Sequence, residues 1–194
     1  ELLEVIHKKL KAGGYTRTGF ECYSLPDSPM TKAFEQGNAH YGASGHQPGG
    51  RVNFIAVGSS SMSNLGNDYY VQNFYDIPSY KKAIDQNLLP CFRGMKLSED
   101  DKIRQHATQQ IRSYFKINFK NFQEQFNVNF LDYFSEEITY LKEMIEDGLL
   151  ELTDNGIYLS EIGKDFVQNI MNVFDKYDPP NKSNSERLET IKKA

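Results

Sequence analysis

The chain has 194 residues, a formal net charge of -4, 25% charged residues, and no Trp beside 13 Phe and 12 Tyr. This length accommodates one domain, or one domain with a small appendage, and the apolar runs are too short to span a bilayer. The mild negative charge excludes a global basic field for nucleic acid, and two cysteines are too few for a secreted disulfide scaffold. We therefore expect a protein of the reducing cytoplasm, although a single Cys22–Cys91 bridge stays open.

The first part of the chain predicts a helix followed by a strand. Apolar residues recur at helical spacing before Gly13-Gly14 end the pattern: Leu2, Leu3, Ile6 and Leu10. Residues 15–23 then read as one strand, and residues 30–36 as a short helix. A helix that leads into a strand is the second half of an α/β repeat.

Residues 37–51 are rich in glycine and predict an irregular loop. A loop of this length is usually functional or disordered. Its two histidines, His40 and His46, are candidates to touch a cofactor or a metal, but without a companion cysteine or acid cluster they are weak evidence for metal. We expect them to be solvated.

A buried strand is predicted at residues 51–57, and it runs directly into Gly58, Ser59 and Ser60. Small residues at a strand end allow a ligand to approach exposed backbone donors, although tight packing against a helix is an equally good explanation. Residues 68–74 predict a second short strand, and residues 76–86 a helix.

After Leu97 the pattern becomes almost entirely helical. Ser98 is a candidate N-cap, and long amphipathic helices follow it at residues 98–115 and 134–149. A hairpin is predicted at residues 150–159 with its turn at Asp154-Asn155-Gly156, and Ser160 caps a last helix. Residues 178–194 predict a mobile tail.

A boundary near residues 90–97 thus separates an incomplete α/β portion from a small helical domain. The α/β portion has about three candidate strands, fewer than a complete sheet domain ordinarily contains. Together with an opening inside a helix and no initiator Met, this leads us to expect a fragment of a longer protein.

Small motifs follow one another in a fixed order across about 160 positions. They are Gly14-Tyr15, Gly19, Pro26, His40, Gly45, Gly58, Ser60, Ser63, Gly66, Gln72-Asn73, Arg93-Gly94, Leu97, Asp100-Asp101, Ile103-Arg104, Asp132-Tyr133-Phe134, Asp147-Gly148-Leu149, Gly156-Ile157, Gly163, Asn169 and Phe174-Asp175. This ordered series resembles the C-terminal part of the oxygen-independent coproporphyrinogen III oxidases. Each match alone is weak, and the order gives the series its strength.

The resemblance implies that the parent protein is an oxidoreductase of the radical S-adenosylmethionine (radical SAM) class. Such enzymes convert two propionate side chains of coproporphyrinogen III to the vinyl groups of protoporphyrinogen IX in haem biosynthesis. They use S-adenosylmethionine and a [4Fe-4S] cluster that three closely spaced cysteines hold. Cys22 and Cys91 are far apart, so the cluster ligands and the other half of the barrel are expected upstream, and this fragment alone is expected to be inactive.

The implied fold is α/β, with three parts. Residues 1–95 form the C-terminal segment of a partial (βα) radical SAM barrel, residues 96–177 form a helical C-terminal domain with a winged-helix-like hairpin, and residues 178–194 form a flexible tail.

The family also places a second S-adenosylmethionine near its glycine-rich segment. Carried over to this chain, that resemblance gives a set of candidate contacts: Ala43, Ser44, Gly45, Gly58, Ser59, Ser60 and Met62. The family usually has a Phe-Gln pair where this chain has Ala43-Ser44, and an Asp-His pair where it has Glu21-Cys22. A divergent relative that acts on another porphyrin, or on haem, is therefore an alternative.

Charged residues supply further candidates. Arg51 and Arg93 flank the proposed cleft and are candidates to bind substrate propionates. Asp100 and Arg104 are spaced four apart on a helix, where a surface ion pair is the simpler interpretation. We expect no catalytic residue and no metal ligand in this fragment, and a porphyrinogen as its small-molecule partner.

Two alternative functions without catalysis stay open. Helices followed by a hairpin and a final helix are also typical of a winged-helix binding module, which often binds DNA. The candidate recognition stretch, residues 130–149, is rich in acidic residues that would repel phosphates, so a structural or protein-contact module fits better than nucleic acid. An inert scaffold is the remaining alternative.

Overall fold

The computed structural model describes residues 2–42, 45–50 and 53–177. The helices are α1 Leu2–Ala12, α2 Pro29–Glu35, α3 Ile77–Asp85, α4 Glu99–Tyr114, α5 Phe119–Phe126, α6 Phe130–Tyr133, α7 Ser135–Glu146 and α8 Val167–Asn172, with a 3₁₀ turn at Gly163–Asp165. The strands are β1 Thr16–Arg17, β2 Tyr23–Ser24, β3 Ala39–Gly42, β4 Gly45–Pro48, β5 Met62–Leu65, β6 Tyr69–Asn73, β7 Cys91–Lys96, β8 Lys116–Asn118, β9 Leu150–Thr153 and β10 Gly156–Leu159.

The strands form four small sheets, and every strand pair in the described part of the chain is antiparallel. Strands β1 and β2 pair with each other, as do β3 and β4. The two larger sheets have the orders β5-β6-β7 and β8-β10-β9. The α/β fold class is confirmed, and the arrangement of these strands within a barrel stays a prediction.

The described residues divide into two compact units. One contains the residues up to Gly49 and those from Arg104 onward, and the other contains residues 50–103. The domain division that the sequence predicts near residue 95 stays a prediction.

An aromatic cluster forms the centre of the first unit. Four phenylalanine side chains there are no more than 1% exposed: Phe122, Phe130, Phe134 and Phe174. Neighbouring rings within the cluster meet at centroid distances of 4.7–6.0 Å, and most of these contacts are tilted or edge-to-face. Such contacts stabilise a core beyond the area that they bury. Because α5, α6 and the residues after α8 all contribute side chains, the cluster joins these segments in one core.

In the second unit, β6 is the central strand of the β5-β6-β7 sheet. Helix α3 precedes β7, and Asp76 caps it by accepting a hydrogen bond from the backbone N–H of Ser79 at 2.8 Å. All six residues of β7 are exposed. The side chain of Lys102 reaches both Asp68 and Glu99 at 2.8 Å, which raises the pKa of its ammonium group.

Most predicted elements are confirmed. The helices α1 and α3, strand β6 and the β9-β10 hairpin lie where the pattern places them. Ser98 caps α4, since its hydroxyl accepts from the N–H of Asp101 at 3.2 Å while the Asp101 carboxylate accepts from the N–H of Ser98 at 2.8 Å. This reciprocal arrangement is a capping box.

Four predictions were wrong in detail. Residues 15–23 form two short strands around a turn, with Gly19 at φ +135° and Glu21 at φ +57°. The glycine-rich segment contains the β3-β4 hairpin. Residues 51 and 52 of the strand predicted at 51–57 lie outside the described residues; among residues 53–57 only Phe54 makes a bridge, to Asn64, and the side chain of Val57 is 87% exposed.

The fourth error concerns the C-terminal half. The sequence predicts helices there with a single hairpin, but Lys116–Asn118 adds a strand, β8, at the edge of that hairpin. In the last predicted helix, Ile162 is 65% exposed and a 3₁₀ turn precedes α8, so the helix is shorter than its apolar stripe indicates. Residues 178–194 lie outside the described residues.

None of the helices in the described part of the chain combines the length and apolar character that a membrane span requires.

Candidate functional site

The β3-β4 hairpin carries the first group of predicted contacts. Gly42 pairs with Gly45 across its turn, and the turn residues Ala43 and Ser44 lie outside the described residues. Gly45 has φ +88°, and a Cβ built on it would meet no atom within 4 Å. A side chain there would be strained although the space is open, so glycine keeps this face of the hairpin accessible.

His46 fixes β4 against the turn between β1 and β2. Its Nε2 lies 3.0 Å from the carbonyl oxygen of Phe20, and a Cβ on Gly19 would come within 2.4 Å of the imidazole ring. Burial lowers the pKa of His46, and the charge of Arg112 and the neighbouring His40 lower it further. The neutral ring therefore donates from Nε2 to Phe20, which makes Nδ1 an acceptor.

The two histidines of the hairpin are half-buried rather than solvated, so the expectation of solvated side chains was wrong. The Nδ1 atoms of His40 and His46 are both buried without a hydrogen-bond partner, and so is the Nε atom of Arg112. Buried polar atoms without a partner are uncommon in folded proteins. Three of them lie beside one glycine-rich hairpin.

The second group of predicted contacts begins at Gly58. Gly58 has φ +106°, its N–H donates to the hydroxyl of Tyr80 at 3.1 Å, and its carbonyl accepts from Asn73 Nδ2 at 3.0 Å. The N–H of Ser60 donates to the carbonyl of Phe74 at 2.8 Å. The prediction that these N–H groups are exposed donors was therefore wrong for Gly58 and Ser60, because tertiary contacts already occupy them.

In this second group, the side chain of Met62 is more accessible than the backbone N–H groups of Gly58 and Ser60. Met62, which begins β5, is 46% exposed, whereas Ser61 Oγ donates to the carbonyl of Val57 at 2.8 Å. Gly58, Ser59, Ser60 and Met62 all lie in the second unit, and Gly45 lies in the first.

Of the two candidate substrate arginines, Arg51 lies outside the described residues. Arg93 is exposed on the edge strand β7, and its Nε donates to Gln72 Oε1 on β6 at 2.8 Å. That contact holds the guanidinium group of Arg93 by its Nε atom and leaves its two Nη atoms as further donors.

Sequence reasoning missed a partner of Arg104 that lies on another helix. Its Nη1 lies 2.6 Å from Glu137 Oε1 on α7 and 3.3 Å from the carbonyl of Phe174, and the guanidinium lies 5.4 Å from the centroid of the Phe134 ring. The pair ties α4 to the aromatic cluster, which is a structural role. Spacing along one helix gives no signal for a contact between helices.

Within residues 2–42, 45–50 and 53–177, no group of three or more His, Cys, Asp or Glu side chains is placed to hold a metal ion. Cys22 and Cys91 are both free, and the hydroxyl of Thr18 lies 3.4 Å from Cys22 Sγ. These residues do not fit a cubane cluster, which needs several thiolates in one place.

Two grooves in the first unit contain none of the predicted site residues. One, of about 450 Å³, lies between α5 and the β9-β10 turn, and the other, of about 480 Å³, lies between the end of α2 and helices α4 and α5. The second is lined by amide and imidazole side chains that include Gln110 and His106.

Comparison with known proteins bears on the whole chain. Residues 97–166 match the family described as HemN C-terminal domain. The oxygen-independent coproporphyrinogen III oxidase of Pseudomonas aeruginosa is 31% identical over 179 residues, which are 92% of this chain and 39% of that protein. The predicted resemblance is confirmed.

Other relatives agree with this result. The enzyme of the same name from Escherichia coli K12 is 28% identical over 168 residues, covering 87% of this chain and 36% of the relative. A solved structure titled as the coproporphyrinogen III oxidase HemN from Escherichia coli, a radical SAM enzyme, superposes with a TM-score of 0.85 at 27% identity. That match covers 90% of this chain and 40% of the other. The chain thus spans about two fifths of the length of these relatives.

Proposed function

We propose that this chain is the C-terminal section of a radical SAM enzyme that decarboxylates the propionate side chains of coproporphyrinogen III to vinyl groups. The observation that carries the proposal is the similarity in fold and sequence over nine tenths of the chain to one such enzyme. In this proposal the product is protoporphyrinogen IX, and the reaction belongs to haem biosynthesis. The two free thiols support a reducing, cytoplasmic location.

The radical-generating cluster belongs, in this proposal, to the part of the relatives that this chain does not match. The described residues offer no ligand set for it, so no chemical step through the cluster is assigned to them. The same upstream part would complete a barrel around the small sheets of residues 1–95. The partner of this section is then its own polypeptide, and the section alone is inactive.

The described residues of the β3-β4 hairpin fit an S-adenosylmethionine molecule bound in addition to the one that reacts. S-adenosylmethionine carries a carboxylate, an ammonium group, ribose hydroxyls and an adenine ring. The unpartnered Nδ1 atoms of His40 and His46 and Nε of Arg112 supply hydrogen-bonding capacity, and Gly45 leaves the face open. Ala43 and Ser44 of the turn, and Gly58, Ser59, Ser60 and Met62 of the second unit, remain proposed contacts.

Arg93 is proposed to bind a substrate propionate, together with Arg51. The role of this chain in the reaction is then to bind and orient the porphyrinogen and to exclude water from the cleft, while the cofactor, when bound, supplies the hydrogen-abstracting radical. The support for Arg93 is its exposed position on β7 and its contact with Gln72, which holds the guanidinium group by its Nε atom.

The region from α4 to α8 is proposed to be a winged-helix-like module that covers the cleft. Its three-stranded sheet β8-β10-β9 and the helices beside it support that description. Acidic residues of α7, among them Glu136, Glu143 and Glu146, oppose a nucleic-acid-binding role.

A second candidate function follows from positions where the residues of this chain differ from those usual in the family that it resembles. Ala43-Ser44 replace a Phe-Gln pair, which removes a side-chain amide contact, and Glu21-Cys22 replace an Asp-His pair. Cys22 lies against the hydroxyl of Thr18, in an environment that suits a small thiol. A relative that acts on another porphyrin, or on haem, would fit these changes.

The test is turnover by the full-length protein, with its cluster loaded, under anaerobic conditions. Coproporphyrinogen III, a second porphyrinogen and haem are supplied separately with S-adenosylmethionine, and the products are identified by mass spectrometry. Vinyl products from coproporphyrinogen III alone support the first candidate, and turnover of one of the other two supports the second. If the cluster-loaded protein does not cleave S-adenosylmethionine in the presence of any of the three substrates, both candidate functions are contradicted.

A further inference from the structure

We infer that Gln109 and Tyr114 of α4 are positioning residues that set the place of the β3-β4 hairpin, and through it the binding of the additional S-adenosylmethionine. This inference rests on the proposed function, since the hairpin is the candidate cofactor contact. It concerns side chains that the family resemblance did not single out.

The argument begins with the backbone of β3. In the hairpin, β3 pairs with β4 along one edge, and its other edge carries the backbone groups of Ala39 and Tyr41. An edge strand without a partner leaves these N–H and C=O groups unpaired. Here two side chains of one helix pair with them in place of a third strand.

Tyr114 satisfies both groups of Ala39. Its hydroxyl accepts from the N–H of Ala39 at 2.7 Å and donates to the carbonyl of the same residue at 2.6 Å. Burial raises the pKa of this hydroxyl, so it keeps the proton that it donates. The ring stacks on Phe34 of α2 at a centroid distance of 5.6 Å, which fixes the direction of the hydroxyl.

Gln109 does the same for Tyr41. Its Oε1 accepts from the N–H of Tyr41 at 3.1 Å, and its Nε2 donates to the carbonyl of Tyr41. The side-chain amide thereby presents a donor and an acceptor side by side, as a peptide group of a neighbouring strand does. Arg112 covers the ring of the same tyrosine at 4.0 Å from its centroid, which adds a cation–π contact.

These contacts end immediately before the turn. Tyr41 is followed by Gly42, which opens the turn, and Gly45 closes it at a positive φ. Ala39 and Tyr41 on β3 and His46 on β4 are therefore the anchored residues closest to this opening, and they set the place of the paired strands that carry Gly42 and Gly45.

The experiment compares Tyr114→Phe and Gln109→Ala with wild type in the full-length holoenzyme. Tyr114→Phe keeps the stacking ring and removes only the hydroxyl. The matched controls are Tyr15→Phe, at a tyrosine that is 39% exposed, and Gln110→Ala, which makes the same substitution one position further along α4.

Two readouts are measured. Hydrogen exchange over residues 38–48 should accelerate about tenfold in each variant, and stay at the wild-type rate in the controls, because about two hydrogen bonds are lost. In equilibrium binding, the affinity of the additional S-adenosylmethionine site should fall about fivefold in each variant. The affinity of the first site and the iron content should stay unchanged.

A third readout separates positioning from simple loss of stability. If the hairpin is only displaced, a saturating concentration of S-adenosylmethionine restores the wild-type kcat, since binding selects the competent position. Activity that stays low at saturation overturns the inference. So does unchanged exchange over residues 38–48, or unchanged binding, in Tyr114→Phe and Gln109→Ala.

Failure of the inference is distinguishable from failure of the proposed function. A wild-type holoenzyme that binds no S-adenosylmethionine refutes the proposed function, and the positioning role falls with it. A wild-type holoenzyme that binds it in two classes, while both variants bind it equally well, refutes the positioning role alone.

Discussion

Gly163 is the position where a single methyl group should disturb the first unit most. A Cβ built on it would lie 1.7 Å from the carbonyl oxygen of Leu149 and 2.7 Å from the carbonyl carbon. Since Cβ contacts essentially never fall below 3.0 Å, Gly163→Ala must separate the 3₁₀ turn from the segment before β9. Both neighbours are backbone, so no flexible side chain can move aside.

The cost follows from the bonds at this contact. The carbonyl of Leu149 accepts from the N–H of Ser160 at 3.0 Å and from its hydroxyl at 3.1 Å, and that hydroxyl accepts from the N–H of Gly163 at 3.0 Å. Overpacking costs about 1–3 kcal/mol and each hydrogen bond about 1 kcal/mol. If Gly163→Ala breaks the two bonds to the carbonyl of Leu149, the local free energy of unfolding should therefore fall by about 3–5 kcal/mol.

Urea-dependent hydrogen exchange, read by mass spectrometry over residues 149–174, measures this free energy within the full-length protein. The matched control is Gly13→Ala, where the nearest atoms to a Cβ lie at 3.4–3.5 Å and the loss should stay within about 1 kcal/mol. A loss below about 1 kcal/mol for Gly163→Ala would refute the reasoning, because the contact would then relax without cost.

Three further predictions concern stability. Glu137→Ala should lower the free energy of unfolding, measured by urea denaturation, by about 2–3 kcal/mol, because it leaves a largely buried Arg104 without this carboxylate. A loss near zero would contradict the conclusion that the Arg104–Glu137 ion pair stabilises the fold. Ser98→Ala should cost about 1 kcal/mol in the same assay by removing one half of the capping box, whereas Ser98→Thr, which keeps the hydroxyl, should retain most of this stability. Burial lowers the pKa of His46, so the unfolded chain binds a proton that the folded chain does not, and wild-type stability should fall as the pH drops below about 6.5. His46→Gln should lose that part of the pH dependence, and a variant with the wild-type slope between pH 7.5 and pH 5.5 would contradict the assignment.

The sequence predicts local features of the fold well. The Ser98 cap of helix α4, and the turn at Asp154-Asn155-Gly156, each depend on residues close together in the chain. Capping and turn chemistry act over a few positions, so their pattern is visible without the fold. The family resemblance can be recognised from the sequence for a different reason, since it depends on the order of many weak matches along the chain.

The features that the sequence did not reveal depend on tertiary contacts. The β3-β4 hairpin lacks the alternation of a typical strand, and side chains of α4 supply the partners for its outer edge. Strand β8 is a short segment that becomes a strand through pairing with β10. The donors at Gly58 and Ser60 are occupied by groups more than ten residues away, which spacing alone cannot indicate.

Our proposal is that this chain completes a radical SAM enzyme that acts on coproporphyrinogen III. Its most direct test is the amount of 5′-deoxyadenosine released per vinyl group formed by the cluster-loaded full-length protein. We expect both products only when coproporphyrinogen III is present, and we expect the isolated 194-residue chain to form neither. Vinyl products without 5′-deoxyadenosine, or turnover by the isolated chain, would contradict it.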